Sequence, residues 1–283
     1  MQFYKLLFTI THMIRKKANL VIGLTTFNNE MLRISVPALG KFAQKFTLVI
    51  HNDNPVTTVS RRQIRRMGYC GDLHIINSTQ NVGLMRSRMA IVQEIRNIGI
   101  NPDWFIFCDD DDILVNIDMP DVSNENFAVI QNAIAIRHRM GDMLRAMDSP
   151  TDIDPDGENI IFMRPNIGFA GNIIRGTVMF GLNRILQNIS DAILQIDDSL
   201  EYMPPTDAIM WAFVNIYAKH VNQNSAPIYM DKIGYIKNEL DTARMKYGRL
   251  ARPVRNPDEH YRRAIAKYTA ILNSALDAAA LRG

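Results

Sequence analysis

Cysteine is nearly absent from this chain: 283 residues contain two, Cys70 and Cys108. Two cysteines make no disulfide framework, and Cys108 lies in an apolar stretch where it reads as a small reduced hydrophobe, so a reducing, cytoplasmic setting is expected. Long apolar runs are lacking as well. No stretch reaches the roughly 18 apolar residues that a membrane span needs. Charge of one sign is scarce, with a net of +3, so bulk charge names no partner. There are no internal repeats and no low-complexity tracts. Residues 1–17 lack the order of a secretory signal, because the cluster Arg15-Lys16-Lys17 follows the apolar stretch instead of preceding it. That segment is expected as an amphipathic helix packed on the domain, with a membrane-surface anchor as the alternative.

What is present is enough for a sizeable core: 47% of residues are hydrophobic. The most informative segment is Trp104-Phe105-Ile106-Phe107-Cys108, an apolar run that ends in Asp109-Asp110-Asp111-Asp112. Five apolar residues without a polar break predict a strand buried on both faces. Adjacent aspartates repel one another at the mouth of a core strand, and a hard divalent cation relieves that repulsion. Ligands in open α/β sheets bind beyond the carboxyl ends of strands, so the tetrad is the candidate active site. The bland alternative is a solvated acidic turn.

Strand and helix patterns alternate ahead of it. Strands are expected over 19–25, 46–51, 72–77 and 104–108. Helices are expected over 29–42, with Pro37 as a kink or break, and over 57–67 and 84–98. This order implies an α/β fold with a mainly parallel sheet and helices on both faces. Beyond residue 112 the rhythm changes. Residues 126–147 fit a strand followed by a helix, 148–159 an exposed loop, 160–163 and 173–180 strands, and 183–194 and 206–220 helices. A last helix opens at Pro257 and runs to about residue 281.

Five pieces in this order resemble the GT-A glycosyltransferases, most closely the family-two-like enzymes. Thr25-Thr26-Phe27-Asn28 stands where that family has a Pro-Thr-Tyr-Asn turn. Asn52-Asp53-Asn54-Pro55 replaces Asp-Asp-Gly-Ser, keeping one carboxylate, Asp53. Asn81-Val82-Gly83 followed by Ser87-Arg88-Met89 matches the opening of the next helix. Asp109, Asp111 and Asp112 match an Asp-x-Asp-Asp pattern, and Thr206-Asp207 stands for the Glu-Asp pair. The resemblance spans roughly residues 19–220. It implies a GT-A fold, a Rossmann-like nucleotide-binding half over about 18–112 and an acceptor half over about 113–225. Residues 226–283 are expected as a basic C-terminal extension with a long helix.

The same resemblance implies a metal-dependent, inverting transfer from a nucleotide-sugar, UDP by default. Mn²⁺ or Mg²⁺ would be held by Asp111, with Asp112 and Asp109 beside it, and the ribose or sugar is the alternative contact for Asp109. Thr25, Thr26 and Asp53 are expected at the nucleotide, and Arg88 at the diphosphate or Asp111, with a surface helix arginine as the alternative. Asp207 is the expected base, unless it merely caps its helix, with Glu201 and Asp198 as substitutes. Trp211 and Phe213 read as core packing, and His220 and His260 as ordinary histidines and not metal ligands.

Two rival readings stay open. Asp109-x-Asp111 also fits the haloacid dehalogenase phosphotransferases, with Asp109 as nucleophile and Asp111 as acid/base. A non-enzymatic divalent-cation module is the other, although the glycine and glutamate of an EF-hand loop are missing. The acceptor is not legible. Residues 232–263 hold nine Lys/Arg against four acids, interleaved with Tyr235, Tyr247 and Tyr261, and Arg61-Arg62-Gln63-Ile64-Arg65-Arg66 is a second basic cluster. These fit a solvated face, a nucleic-acid contact, or a peripheral contact with anionic lipid or acidic glycan.

Overall fold

A computed structural model describes residues 19–138, 160–166, 168–189, 206–240 and 257–281. Four strands, β1 (Leu20–Thr26), β2 (Phe46–Asn52), β3 (Asp72–Asn77) and β4 (Trp104–Asp109), pair in parallel in the order β3-β2-β1-β4. Between them cross α1 (Leu32–Gly40), α2 (Arg61–Arg66) and α3 (Leu84–Asn97). The chain steps outward from β1 in one direction to β2 and β3 and in the other to β4. The carboxyl ends of β1 and β4 therefore meet at the point where the winding reverses.

Five further strands follow: β5 (Ile113–Leu114), β6 (Asn126–His138), β7 (Ile160–Pro165), β8 (Ile173–Arg175) and β9 (Ala226–Leu240). β8 pairs antiparallel with β4 and carries the sheet to β6. β6 runs parallel to β9, whose far edge takes β5, while β7 pairs with β6 further along. The helices of this half are α4 (Gly176–Asn188), α5 (Thr206–Val221) and α6 (Pro257–Ala280).

The period-two alternation of the central strands sorts the core into two layers. Val21, Phe105 and Phe107 pack with Met85, Ile91, Val92 and Ile95 of α3 and with buried residues of α4, α5 and α6. Leu20, Ile22, Leu24, Trp104, Ile106 and Cys108 face the other way, against Leu32, Val36 and Leu39 of α1 and Ile64 of α2. Helices thus cover both faces of the parallel half, which is the α/β architecture expected from the sequence.

Several elements differ from the sequence expectation. α1 runs through Pro37 without ending there. The stretch 173–180 is a strand only to Arg175; from Gly176 it is α4, because Val178, Met179 and Leu182 recur at helical spacing on one buried face. Residues 126–138 settle as strand. The C-terminal stretch set apart as an extension is built into the domain: β9 lies in the sheet, and Tyr268, Leu272 and Leu276 of α6 enter the core shared with α3, α4 and α5. The segments expected at 1–17 and 148–159 lie outside the described residues. No helix among the described residues is long and apolar enough to cross a membrane.

Candidate active site

The acidic run begins on β4 beside the end of β1, and the two strands are in register, with Thr25 opposite Asp109. Alternation decides which hydroxyl meets which carboxylate. Thr25 and Asp109 project to the α3 side, and Thr25 Oγ1 lies 3.4 Å from Asp109 Oδ1. Thr26 and Asp110 project to the opposite side, where Thr26 Oγ1 donates to Asp110 Oδ2 at 2.7 Å. Asp110 is buried there, as its strand parity predicts. After Asp109 the chain turns, with Asp112 N–H bonded to the Asp109 carbonyl at 3.2 Å.

Asp53, at the end of β2, spends both carboxylate oxygens on backbone amides: Val82 N–H at 2.7 Å and Gly83 N–H at 2.8 Å. Those amides open α3, whose N-cap is Gly83 and supplies no side chain. Gly83 has φ of 83°, a left-handed conformation that glycine adopts without penalty. Burial raises the Asp53 carboxyl, and the two amide bonds work against it. A carboxylate from a neighbouring strand therefore caps the helix that carries Arg88.

Arg88 is 1% exposed and ties two parts of the chain together. Its Nη2 donates to Asp109 Oδ1 at 3.1 Å, and its Nη1 to Asp207 Oδ1 at 2.6 Å. Its guanidinium lies over the Phe169 ring, 5.0 Å from the centroid. Burial opposes the charge on Arg88, but the two carboxylates outweigh it and hold the group firmly protonated. Asp207, in the first turn of α5, meets Lys237 Nζ at 3.6 Å through its other oxygen. Burial works to raise the Asp207 carboxyl; Arg88 and Lys237 outweigh burial and keep it below its ordinary range.

Strand β9 closes the site from the far side. The Tyr235 hydroxyl donates to Asp112 Oδ2 at 2.7 Å, and the Asn238 N–H donates to Asp112 Oδ1 at 2.9 Å. Asn238 Nδ2 also donates to the Asp111 carbonyl at 2.5 Å. Both oxygens of Asp112 are thus engaged. Burial, followed by the Asp111 and Asp109 charges, pushes its carboxyl well above the usual range. Asn166 and residues 168–171 lie against this corner. Asn172 Nδ2 holds the Asn166 and Gly168 carbonyls at 2.6 and 2.7 Å, and Gly171 N–H reaches the Phe107 carbonyl at 2.7 Å. Gly171, with φ of 82°, leaves no room for a Cβ, which would run into the Tyr235 ring.

The structure therefore gathers Thr25, Asp109, Arg88 and Asp207 into one linked cluster, with Asp111 and Asp112 on the adjoining turn and Thr26, at the end of β1, bonded to Asp110. Asp53 is one step removed, at the base of α3. The polar atoms of Thr25, Thr26 and Asp53, expected to face a nucleotide, serve internal partners. Arg88, expected at a diphosphate or at Asp111, is buried between Asp109 and Asp207. Phe213 is core, and Trp211 packs against the core beside Phe127. His220 is exposed, and Glu201, Asp198 and the His260 side chain lie outside the described residues. Lys237 and Tyr235 enter the sequence reading only as part of the basic tract 232–263, and Asn238 not at all; their contacts to the acidic turn and to Asp207 join segments far apart in the chain, and no local motif marks them. Of the basic tract, Lys237 points into the site, whereas Lys232 and Arg263 are exposed elsewhere. Arg61, Arg62, Arg65 and Arg66 are exposed on α2. Among the described residues, no three His, Cys, Asp or Glu side chains converge as a preformed metal cage.

No protein-family profile matches the chain, and no curated protein matches it. Solved structures do. The chain is similar to S. aureus TarS, at 11% identity and a TM-score of 0.41, over 78% of this chain and 36% of that one. It is similar to the glycosyltransferase GlyE of Streptococcus pneumoniae, at 12% identity and a TM-score of 0.39, over 93% of this chain and 64% of that one. It is also similar to a nucleoside-diphosphate-sugar pyrophosphorylase from Vibrio cholerae, at 11% identity and a TM-score of 0.42, over 81% of this chain and 99% of that one. The chain thus spans about a third of the TarS chain and under two thirds of GlyE. Likeness at these identities and scores assigns no activity, and the chemistry has to come from the side chains.

Proposed function

We propose that this chain is a metal-dependent glycosyltransferase of the GT-A type. In this reading it moves a sugar from a nucleotide donor, a UDP-sugar, to an acceptor hydroxyl with inversion at the anomeric carbon. The observation that carries the reading is the Arg88 bridge. One buried guanidinium holds Asp109, at the sheet's switch point, and Asp207, at the start of α5. Sugar transfer needs these two kinds of carboxylate at one mouth: hard oxygen ligands for a diphosphate-bound cation, and a separate carboxylate to take the acceptor proton.

Mn²⁺ or Mg²⁺ fits the acidic turn on charge and donor type. Asp109 and Asp207 share the cations Arg88 and Lys237, and Asp111 and Asp112 add further carboxyl groups beside them, so a diphosphate meets repulsion there unless a divalent ion joins it. Such an ion takes one or two carboxylates and leaves its other positions to phosphate and water, so it needs no preformed cage. Asp111 and Asp109 are the residues that would hold it. Asp112, with both oxygens engaged by Tyr235 and Asn238, would set the shape of the turn. When bound, the ion supplies charge neutralisation to the departing diphosphate. Thr25 and Thr26 fix the carboxylates, and Asp53 anchors the helix that presents Arg88.

In the transfer step the acceptor oxygen attacks the anomeric carbon. The bond from that carbon to the β-phosphate oxygen breaks, and the diphosphate leaves with the electron pair. The acceptor proton passes to the Asp207 carboxylate, which the buried Arg88 guanidinium holds in place and favours in its ionised form. The phosphotransferase alternative needs Asp109 as a nucleophile; Arg88 and Thr25 hold its Oδ1, which leaves Oδ2 as the oxygen for either role.

Calorimetric titration of UDP, with and without Mn²⁺, tests the donor site. Binding should require the metal and should fall by about tenfold or more in Asp111→Ala. No binding of any nucleoside diphosphate under either condition would sink this reading. Release of inorganic phosphate from phosphomonoesters would favour the rival.

A further inference from the structure

The two oxygens of Asp207 are held very differently. Oδ1 takes a short 2.6 Å bond from Arg88, which is fully buried and fixed by a second carboxylate and an aromatic face. Oδ2 faces Lys237 at 3.6 Å, an ion pair beyond hydrogen-bonding distance. The Lys237 side chain is 27% exposed, on a flexible stem that carries a compact charge. Lys237 follows Tyr235 and precedes Asn238, the two residues that grip the acidic turn. Its ammonium is drawn by Asp207, Asp112 and Asp109 together. Across the same corner Gly168 offers only backbone: a Cβ there would sit 3.4 Å from Lys237 Nζ and 3.8 Å from Asp207 Oδ2. The site therefore contains one immobile cation and one loosely paired cation that is open to solvent.

We infer that Lys237 binds the β-phosphate of the donor and leaves Asp207 Oδ2 in order to do so. This rests on the donor reading above. Arg88 stays in place and keeps Asp207 aimed, while the exchange of Lys237 from carboxylate to phosphate uncovers Oδ2 as a proton acceptor only when donor is present. The base is then restrained by an ion pair until the sugar that needs it has arrived. No covalent bond changes in the exchange; one ammonium trades one anionic oxygen for another.

The inference makes two linked predictions for calorimetric titration with Mn²⁺, using UDP and UMP as the matched pair. Lys237→Met should weaken UDP by about tenfold or more and leave UMP within about twofold, because a charge-assisted contact to the second phosphate is lost. Lys237→Arg should recover most of the UDP affinity. Conversely, Asp207→Asn should tighten UDP, since Lys237 no longer has to leave a carboxylate, and that gain should largely vanish when Asp207→Asn is combined with Lys237→Met. Lys237→Gln serves in place of Met if thermal melting shows the Met variant unfolded. Unchanged UDP affinity in the Lys237 variants, an equal loss for UDP and UMP, or an undiminished gain in the double variant would overturn the inference and leave the donor reading standing. A wild type that binds no nucleoside diphosphate overturns both.

Discussion

Arg88 is the residue on which the site's arrangement most depends. A guanidinium can span two carboxylates because its donors diverge in a fixed plane, whereas an ammonium reaches them as a point charge. Removing Arg88 leaves Asp109 and Asp207 facing one another without their shared cation. Breaking a fully buried pair costs about 3–5 kcal/mol. Here each carboxylate side chain is about a quarter exposed, at 26% and 29%, so water relieves part of the loss. Arg88→Met should therefore destabilise the fold by about 2–3 kcal/mol in urea unfolding, with metal-dependent nucleotide binding reduced as Asp109 swings free. Arg88→Lys should recover less than half of that stability. A loss below about 0.5 kcal/mol for the Met variant, the level of an ordinary surface change, would show that the bridge does not hold the two segments together.

The site is only partly legible in the sequence at this scale. Asp109, Asp111 and Asp207 can be named because local motifs mark them. Arg88 can be named but not placed, since whether a helical arginine points inward depends on what stands opposite, here Phe169 and Asp207. Tyr235 and Lys237 stand out only as members of a basic tract, with nothing to tie them to the acidic turn, and Asn238 carries no signal. Tyr235 and Asn238 reach Asp112 across separations of 123 and 126 residues, and β9 holds Asp231, Lys232 and Gly234, which break any clean alternation.

Among the elements, α3 shows how a carboxylate expected at a ligand comes to serve the fold. The helix opens on a glycine and has no acidic residue in its first turn; Asn81 Oδ1 accepts from the Gly83 N–H at 3.0 Å, but no local charge offsets the positive end of the dipole. Asp53 provides that charge from β2. Asp53→Ala should cost about 1–2 kcal/mol, the range for losing a helix cap. Amide exchange should quicken at Val82 and Gly83 ahead of the rest of α3. Asp53→Asn keeps one acceptor oxygen and should cost less. If exchange at Val82 and Gly83 is unchanged in the Ala variant, Asp53 is not the cap, and a direct role at the nucleotide regains its ground. Most strands and helices of the parallel half are readable because they are short apolar runs, as in β1 and β4, or a helical stripe, as in α3, bounded by turn residues. β5 is not, being two residues long. Residues 176–180 mislead because a short apolar run fits a strand or a buried helix equally well until its packing partner is known.

For the whole molecule, β2 lies inside the parallel sheet between β1 and β3, so a change of charge within it is felt by the entire fold. His51 on β2 is 2% exposed. Its Nε2 lies 3.2 Å from Ser78 Oγ, and burial lowers its pKa to about 4. The unfolded chain takes up this proton near pH 6.5. Between those values the unfolded state binds the proton and the folded state does not, so acidification favours unfolding. The stability tied to neutral His51 is complete above about pH 6.5 and declines as the pH falls towards 4. The total is about 3 kcal/mol, since each pH unit between the two values contributes roughly 1.4 kcal/mol. Asp53 and Asp112 act in the opposite sense, because their folded carboxyls are raised and bind protons earlier than unfolded ones. The wild-type profile is therefore a sum of opposing slopes, and His51 is isolated by difference. His51→Gln should flatten the decline in urea midpoint between pH 7 and pH 4.5, and the gap between wild type and variant should shift in the variant's favour as the pH drops. A gap that stays constant over that range would mean that His51 is not kept neutral by burial and that the acid sensitivity of the fold lies elsewhere.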